Sequence, residues 1–228
     1  MRRDLTPSFQ VSRPTTSSQL QSNWLIIHED LIKNSHPGEI IPVSNHELEQ
    51  VSVLKTPNQA FIVAKIPETN LLKIEINGKL SIALDDVQDP GNFGTILRIA
   101  VWFGIETIIC SKHTVDAYNP KVIQSSMGAI WKTNIFYTDL EEFFRRIKIP
   151  VFASILNGEN IYKEKLSHEG IIILGNESKG ISNKLLQYST HNITIPPFFR
   201  NGNKEIDSLN IAVSAAIICS EFRRRNNL

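Results

Sequence analysis

Short apolar runs alternate with amphipathic stretches along the chain beyond Gly78. Short apolar runs bounded by turn residues are typical of buried strands, and a 3.6-residue period is typical of helices. The pattern predicts strands at 80–84, 107–110, 149–155, 171–175 and 192–195, and helices at about 92–103, 119–128, 138–147, 181–188 and 208–225. Continuous apolar strands separated by helices favour a mainly parallel sheet covered on both faces, so we expect an α/β domain.

The chain before Gly78 has a different pattern. Residues 1–22 are rich in Ser, Thr, Pro and Gln with little periodicity, which predicts a poorly ordered N-terminal segment. Residues 23–70 combine WLIIHEDLIKN with helical spacing, the strand pattern EIIPVS, the capped helical run NHELEQVSVL and the strand pattern AFIVAKI. They indicate a small α/β module. Residues 71–77 are interpreted as a linker that ends at the Asn77-Gly78 turn signal.

Composition and charge narrow the class of protein. The 228 residues suffice for one large domain, or for a small domain and a medium one. A net charge of +1 gives no global signal for nucleic acid, although a local patch can supply the electrostatics of an RNA enzyme. Cys110 and Cys219 both lie in apolar runs and are interpreted as core thiols of a reducing compartment. No run has transmembrane length and no signal peptide opens the chain, so we expect a cytoplasmic protein with no membrane partner.

Three loops that follow predicted strands have unusual compositions. DDVQDPGN (85–92) precedes an apolar helix that carries Arg98, with Asp89 at the N-cap position and Pro90 as the first helical residue. LGNESKGIS (174–182) follows a strand, and IPPFFRNGNKEIDSLN (195–210) leads into the last helix. Ligands of open parallel sheets bind beyond the carboxyl ends of the strands, which predicts a site here. Each loop is also compatible with an ordinary turn, because Gly, Asn and Ser are turn residues.

Several common catalytic motifs are absent from the sequence. There is no GxGxxG after the first strand of the α/β domain and no GxxxxGK[ST], which argues against Rossmann and P-loop nucleotide binding. Asp85, Asp86 and Asp89 suggest Mg²⁺, but Asp89 is better interpreted as a helix cap, so no metal is predicted. The basic tail 223–225 is interpreted as a favourable helix C-terminus, with RNA contact as the alternative.

At these three loops the sequence resembles the SpoU/TrmH branch of the SPOUT RNA methyltransferases. The family's first motif is matched by DPGNFGTILRIAVWFG, its second by IIILGNESKGIS, and its third by ITIP with SLNIAVSAAIICSEFRRR. IQSSMGAI (123–130) resembles the segment between the first two motifs, and the resemblance covers about residues 78–225. Residues 23–66 resemble the later part of an L30e-like RNA-binding module whose opening strand and helix are missing or degraded.

The resemblance implies a SPOUT-type α/β knot, in which the C-terminal segment of a parallel sheet forms a deep trefoil knot. The methyltransferase domain would be residues 78–228, behind a partial L30e-like domain at 23–70. It implies S-adenosylmethionine as the cofactor, a homodimer with active sites at the subunit interface, and methyl transfer to a ribose 2′-OH of structured RNA, with 23S-type rRNA as the expected substrate. A tRNA 2′-O-methyltransferase, a non-catalytic RNA-binding protein with this fold and a phosphotransfer enzyme that uses the acids of DDVQD stay open as alternatives.

By position, the resemblance implies catalytic roles for five polar residues: Arg98, Asn92, Glu177, Ser208 and Asn210. It implies cofactor contacts, made largely by the main chain, from Ser154, Leu174, Gly175, Asn176, Ile195, Pro196 and Leu209. A guanidinium is effectively always protonated, so Arg98 is expected to stabilise a developing alkoxide and bind an RNA phosphate rather than act as a base. The stretch 197–207 is longer than usual in the family and carries Phe198, Phe199, Arg200 and Lys204. It is either a disordered insertion or an RNA-contacting loop.

Overall fold

A computed structural model describes residues 24–27, 39–52, 60–63, 74–198 and 206–226. The predicted N-terminal segment 1–22 lies outside these residues, as do 199–205 of the long loop and the first part of the linker. The structure contains two sheets, one in the front module and one in the following α/β domain.

The sheet of the front module has three strands. They are β1 (Trp24–Ile27), β2 (Glu39–Pro42) and β3 (Ala60–Val63). Their order is β2-β1-β3, with β1 parallel to β2 and antiparallel to β3. The helical spacing assigned to WLIIHEDLIKN is therefore wrong for WLII, which is β1. Short apolar runs do not distinguish a strand from a buried helix, and here strand pairing decided the conformation.

Helix α1 (Asn45–Val51) lies between β2 and β3 in sequence and confirms the predicted helical run. It begins at a capping box, in which the Glu47 N–H donates to Ser44 Oγ at 3.3 Å and the Ser44 N–H donates to Glu47 Oε2 at 2.8 Å. Leu48 is the buried residue of this helix.

The α/β domain contains a six-stranded sheet in which all neighbouring strands are parallel. Its strands are β4 (Leu80–Asp85), β5 (Thr107–Ser111), β6 (Asn134–Thr138), β7 (Val151–Asn160), β8 (Gly170–Gly175) and β9 (His191–Thr194). Their order is β6-β5-β4-β8-β7-β9. The predicted parallel sheet is confirmed.

In the described part of this domain, five α-helices connect or follow the strands, and a short 3-10 helix (Ala129–Lys132) precedes β6. The α-helices are α2 (Pro90–Trp102), α3 (Pro120–Ser126), α4 (Leu140–Phe144), α5 (Asn183–Leu186) and α6 (Ile211–Asn226). The Asn92 N–H donates to Asp89 Oδ1 at 2.7 Å, which confirms the predicted N-cap with Pro90 in the first turn. Among the described residues, no helix is long and apolar enough to cross a membrane.

Two strands differ from the sequence prediction. Strand β6 was missed, because it is an edge strand with an exposed first residue and only two buried positions, and so has no continuous apolar run. Strand β7 continues to Asn160 rather than ending at 155. A register shift between Ser154 and Glu159 interrupts its pairing with β9. This bulge removes residues 155–158 from the ladder without ending the strand.

Apolar side chains cover both faces of the parallel sheet. Ile82 and Leu84 belong to the core formed with α2, α3 and α6, whereas Ala83 between them belongs to the core formed with α4 and α5. This alternation explains the uninterrupted apolar strands. Cys110 and Cys219 are both buried free thiols, as predicted for core cysteines, and burial raises the pKa of Cys219 to about 12.

The basic tail of α6 binds main-chain carbonyls of neighbouring segments. Arg223 donates to the carbonyls of Phe103 at 2.6 Å and Gly104 at 3.0 Å. Arg225 donates to the carbonyl of Glu164 at 2.6 Å and to Glu221 Oε1 at 2.7 Å. These contacts fix the C-terminal end of α6 against the α2–β5 and β7–β8 connections.

Arg224 and Arg225 both bind the Glu221 carboxylate, whose side chain is 6% exposed, and their hydrogen bonds lower its pKa from 4.5 to about 2. A carboxyl whose pKa is lower in the native state binds fewer protons there than in the unfolded chain. We therefore expect Glu221 to stabilise the fold fully above about pH 4.5 and progressively less as the pH falls toward 2. Glu221→Gln should lower the free energy of unfolding at pH 7, and the difference from wild type should shrink at pH 3.

Equilibrium urea unfolding at pH 7, 5 and 3 measures this difference. Glu142→Gln is the matched control, because its ion pair with Arg146 is 62% and 72% exposed and should contribute little. If Glu221→Gln lowered the free energy of unfolding by the same amount at all three pH values, the lowered pKa of Glu221 would not be the source of the stabilisation.

Candidate active site

Two of the three predicted loops lie at the carboxyl ends of neighbouring strands. The turn 86–92 follows β4 and the loop 176–182 follows β8, and these two strands pair in the centre of the sheet. The strands that follow β4 in sequence, β5 and β6, lie on one side of it in the sheet. The later strands β8, β7 and β9 lie on its other side. The β4/β8 boundary is therefore a topological switch point, where open parallel sheets bind ligands.

A chain of hydrogen bonds joins three of the predicted catalytic residues. Asn92 Nδ2 donates to Glu177 Oε1 at 3.0 Å, and Asn210 Nδ2 donates to Asn92 Oδ1 at 2.9 Å. The Glu177 carboxylate also accepts from the Asp89 N–H at 3.3 Å and, more weakly, from the Gln88 N–H at 3.4 Å. Residues from the first, second and third loops thus meet at one point.

Asn210 also determines where the last helix begins. Its Oδ1 accepts from the Ala212 N–H at 2.9 Å and from the Val213 N–H at 3.3 Å. This satisfies main-chain donors at the start of α6, which an N-terminal helix end leaves unpaired. One side chain therefore both caps α6 and binds α2 through Asn92.

A cavity of about 740 Å³ lies beside this hydrogen-bond chain. Its walls come from the bulge of β7, the loop 174–181, the end of β9 and residues 207–214 before and within α6. The predicted cofactor residues that line it are Ser154, Leu174, Gly175, Asn176, Ile195 and Leu209. Three of the predicted catalytic residues, Glu177, Ser208 and Asn210, also line it, whereas Pro196 does not.

Close backbone approaches shape this cavity. A Cβ at Gly175 would lie 2.2 Å from the Gly180 carbonyl carbon and the Ile181 nitrogen, so the loop packs directly on the end of β8. A Cβ at Gly158 would lie 2.6 Å from the Ile193 carbonyl carbon, where the β7 bulge meets β9. The cavity size falls in the usual range of small-molecule sites, and both apolar and polar residues line it.

Arg98 lies on a different surface. It projects from α2 beside the exposed Trp102 and the half-buried Thr95 and Ile99, away from the buried residues Phe93, Ile96, Leu97 and Ala100. The groove around it, about 950 Å³, is also lined by Met127. Arg98 is exposed and makes no hydrogen bond or ion pair with another described residue, and it does not line the first cavity.

The two acids that end β4 have structural partners that the sequence did not reveal. Asp85 Oδ2 accepts from the Ser182 N–H at 2.7 Å, and Asp86 Oδ1 accepts from Gln88 Nε2 at 2.6 Å. Within the described part of the chain, no three His, Cys, Asp or Glu residues are grouped as metal ligands. The Gln88 contacts and the β7 bulge had no sequence signal of their own, because both depend on neighbouring segments.

The fold and the cavity define a parallel α/β protein with a cavity of small-molecule size beside its topological switch point. The chain matches the model of the SpoU rRNA methylase family over residues 79–220. It therefore belongs to this family, and its predicted membership of the SpoU/TrmH branch is confirmed, together with its class as an RNA methyltransferase.

Similar proteins agree with this assignment. The chain is 29% identical over 185 residues to the 23S rRNA (guanosine(2553)-2′-O)-methyltransferase RlmP of Bacillus subtilis, covering 79% of this chain and 71% of that protein. A TrmH-family structure from Porphyromonas gingivalis superposes with a TM-score of 0.74 at 32% identity, covering 90% and 83% of the two chains. An AdoMet-bound rRNA methyltransferase from Sinorhizobium meliloti has a TM-score of 0.76 at 25% identity, covering 90% and 80%. The predicted SPOUT-type sheet is confirmed, and the trefoil knot stays a prediction.

Because the Asn210–Asn92 bond joins the starts of two helices, the two side chains should contribute jointly to stability. Asn92→Ala and Asn210→Ala should each lower the free energy of unfolding by about 1 kcal/mol. The double variant should be non-additive by at least about 0.5 kcal/mol. A double-mutant cycle by urea unfolding measures this coupling. As a control, Asp139→Ala removes the cap of α4, and its effect on the free energy of unfolding should add to that of Asn92→Ala. Additive effects of Asn92→Ala and Asn210→Ala would refute the coupling.

Proposed function

We propose that this protein transfers a methyl group from S-adenosylmethionine to a ribose 2′-OH of ribosomal RNA, of the 23S type. The observation that carries the proposal is the cavity beside the switch point of a chain that belongs to the SpoU family, because six residues assigned to cofactor binding line this cavity. The Bacillus subtilis relative, a 23S rRNA 2′-O-methyltransferase, supports the substrate class.

The residues present fit this cofactor. Leu174 and Ile195 offer apolar surface for an adenine ring, while the loop that begins at Gly175 and Asn176 offers polar groups for the methionine part. S-adenosylmethionine supplies a methyl group activated by a sulfonium sulfur. The chain contributes alignment, because holding the acceptor hydroxyl in line with the methyl group removes much of the entropic barrier.

Arg98 is the residue that acts on the RNA. Its guanidinium cannot serve as a base at neutral pH, but it can stabilise the negative charge that develops on the 2′ oxygen and bind a neighbouring phosphate. Asn92 and Glu177 hold the start of α2, and therefore the position of Arg98 two turns later. Ser208 and Asn210 close the cavity at the start of α6.

A homodimer would bring the two parts of the site together. In one chain Arg98 lies outside the cofactor cavity, in a groove with strongly exposed apolar residues, Trp102 at 84% and Met127 at 64%. Large exposed apolar patches mark interaction surfaces. A second copy of the chain seated in this groove would cover the patch and place Arg98 of one subunit at the cofactor cavity of the other.

The front module is proposed as a partial L30e-like RNA-binding domain, joined by the linker 71–77 to the methyltransferase domain 78–228. With bacterial relatives such as the Bacillus subtilis rRNA methyltransferase, a cytoplasmic location is part of the proposal. Two alternative functions are methylation of tRNA and RNA binding without catalysis. The titration described next distinguishes a methyltransferase from a non-catalytic RNA-binding protein.

Calorimetric titration with S-adenosylmethionine tests the proposal directly. We expect binding of one molecule per chain at micromolar concentration. Arg98→Ala should leave this affinity nearly unchanged but lower methyl transfer to rRNA by at least about 100-fold, because it removes stabilisation of the developing charge. Arg146→Ala, which removes an exposed arginine of an i,i+4 ion pair, is the control and should retain activity. A folded protein that binds no S-adenosylmethionine at millimolar concentration would refute the proposed function and favour the non-catalytic role.

The dimer is tested by complementation. Trp102→Glu should shift the protein to a monomer in sedimentation and abolish activity, because it places a charge in the apolar groove. Arg98→Ala and Gly175→Ala should each be inactive alone, the latter because its Cβ displaces the cofactor loop. After the two variants are mixed and allowed to exchange subunits, activity should return, since one site of each heterodimer is intact. No recovery in a mixture shown to contain heterodimers would exclude a site shared between subunits.

A further inference from the structure

Asp86 has a backbone conformation that few residues other than glycine adopt. Its φ is +59°, in the left-handed region, and it directly follows the last residue of β4. Aspartate is one of the few side chains found there with any frequency, because its short polar side chain can hydrogen-bond locally. Strained residues of this kind persist where the surrounding structure holds them, and they cluster at functional sites.

Hydrogen bonds from two distant segments and from its own turn hold Asp86 in this conformation. Its N–H donates to Ser111 Oγ at the end of β5 at 3.0 Å, and its Oδ1 accepts from Gln88 Nε2 at 2.6 Å. Its carbonyl accepts from Asn176 Nδ2 at 2.7 Å. Gln88 is fixed in turn, because its side-chain amide also donates to the His113 carbonyl at 2.5 Å. The main-chain N–H, the main-chain carbonyl and Oδ1 of Asp86 thus each have a partner, at the end of β5, in the loop after β8 and in its own turn.

Asp86 and its neighbour Asp85 hold the two ends of the same loop. The buried Asp85 carboxylate accepts from the Ser182 N–H, while the Asp86 carbonyl binds Asn176. In its left-handed conformation Asp86 presents its carbonyl to one end of the loop, and the Asp85 side chain holds the other end. Between these anchors, Asn176 and Gly180 exchange two main-chain hydrogen bonds of 3.0 and 2.9 Å.

The anchored loop is a wall of the cofactor cavity. Residues 175–181 all line it, and the Asn176 side chain that binds Asp86 also accepts from the Ser178 and Lys179 N–H groups at 2.9 and 3.0 Å. A change in the direction of the Asp86 carbonyl would therefore release Asn176 and allow the whole wall to move.

We propose that Asp86 is a positioning residue for the cofactor cavity: its left-handed backbone, fixed by Ser111 and Gln88, aims its carbonyl at Asn176 and holds the loop 176–182 in its binding form. In naming S-adenosylmethionine as the ligand, this inference rests on the proposed function. Asp86 itself does not line the cavity and acts through Asn176.

Three substitutions separate the backbone contribution from the side-chain contribution. Asp86→Asn keeps an acceptor oxygen and tolerates the left-handed region, so its dissociation constant for S-adenosylmethionine should stay within about twofold of wild type. Asp86→Gly keeps the conformation accessible but loses the Gln88 bond, so binding should weaken about threefold to tenfold. Asp86→Ala loses both and should weaken binding by more than about tenfold.

Amide hydrogen exchange of residues 176–182 provides a readout that needs no ligand. Exchange should accelerate in the same order, from Asn to Gly to Ala. Asp139→Ala is the matched control, because Asp139 also follows a strand and its carboxylate caps α4 by accepting from the Glu142 N–H at 3.1 Å. It should lower the thermal midpoint while leaving affinity and loop exchange unchanged.

The order Asn, Gly, Ala in both affinity and loop exchange supports the proposal. The proposal is overturned if the three variants have equal affinity and equal loop exchange. It is also overturned if Asp86→Ala loses only thermal stability. If Asp86→Ala does not fold, the comparison of Asp86→Asn with Asp86→Gly tests the proposal. Equal affinity and equal loop exchange in these two variants also overturn it. If the wild type does not bind S-adenosylmethionine, the proposed function fails, and the order of loop exchange still tests the positioning role.

Discussion

The hydrogen-bond chain from Glu177 through Asn92 to Asn210 is the contact on which the site depends. It joins residues 85 and 118 positions apart in the sequence. The middle residue is a neutral amide, which donates to a carboxylate on one side and accepts from an amide on the other. Because Asn92 lies in the first turn of α2 and Asn210 caps α6, one network sets the positions of both helices relative to the loop after β8. Small displacements of any of these segments are therefore shared by the others.

The shape of the cavity is determined more by backbone proximity than by particular side chains. Gly175 and Gly158 allow strands and loops to approach within distances that a Cβ would prevent, and the β7 bulge between Ser154 and Glu159 turns residues toward the cavity. Main-chain groups keep their chemistry when side chains change.

Much of the α/β domain was predictable from the sequence, because the features involved are local. Apolar periodicity predicted five of the six strands of the parallel sheet, and a helix-capping aspartate followed by proline predicted the start of α2. The missed strand β6 and the misassigned segment Trp24–Ile27 are both short, and short segments take their conformation from the strands that they pair with. The residues expected at the site were identified by motif resemblance, since spacing alone cannot distinguish such loops from ordinary turns.

Only the tertiary structure decided how these segments meet. The pairing of β4 with β8, the left-handed conformation of Asp86 and the separation of Arg98 from the cavity beside the switch point cannot be read from local pattern. Each depends on groups that the fold brings together from segments far apart in the chain, such as Asp86 and Asn176, which are 90 residues apart. The sequence determined which elements form and which chemical groups they carry, because propensity, periodicity and capping act over a few residues. The relative positions of those groups depend on sheet order and packing, which only the assembled fold defines.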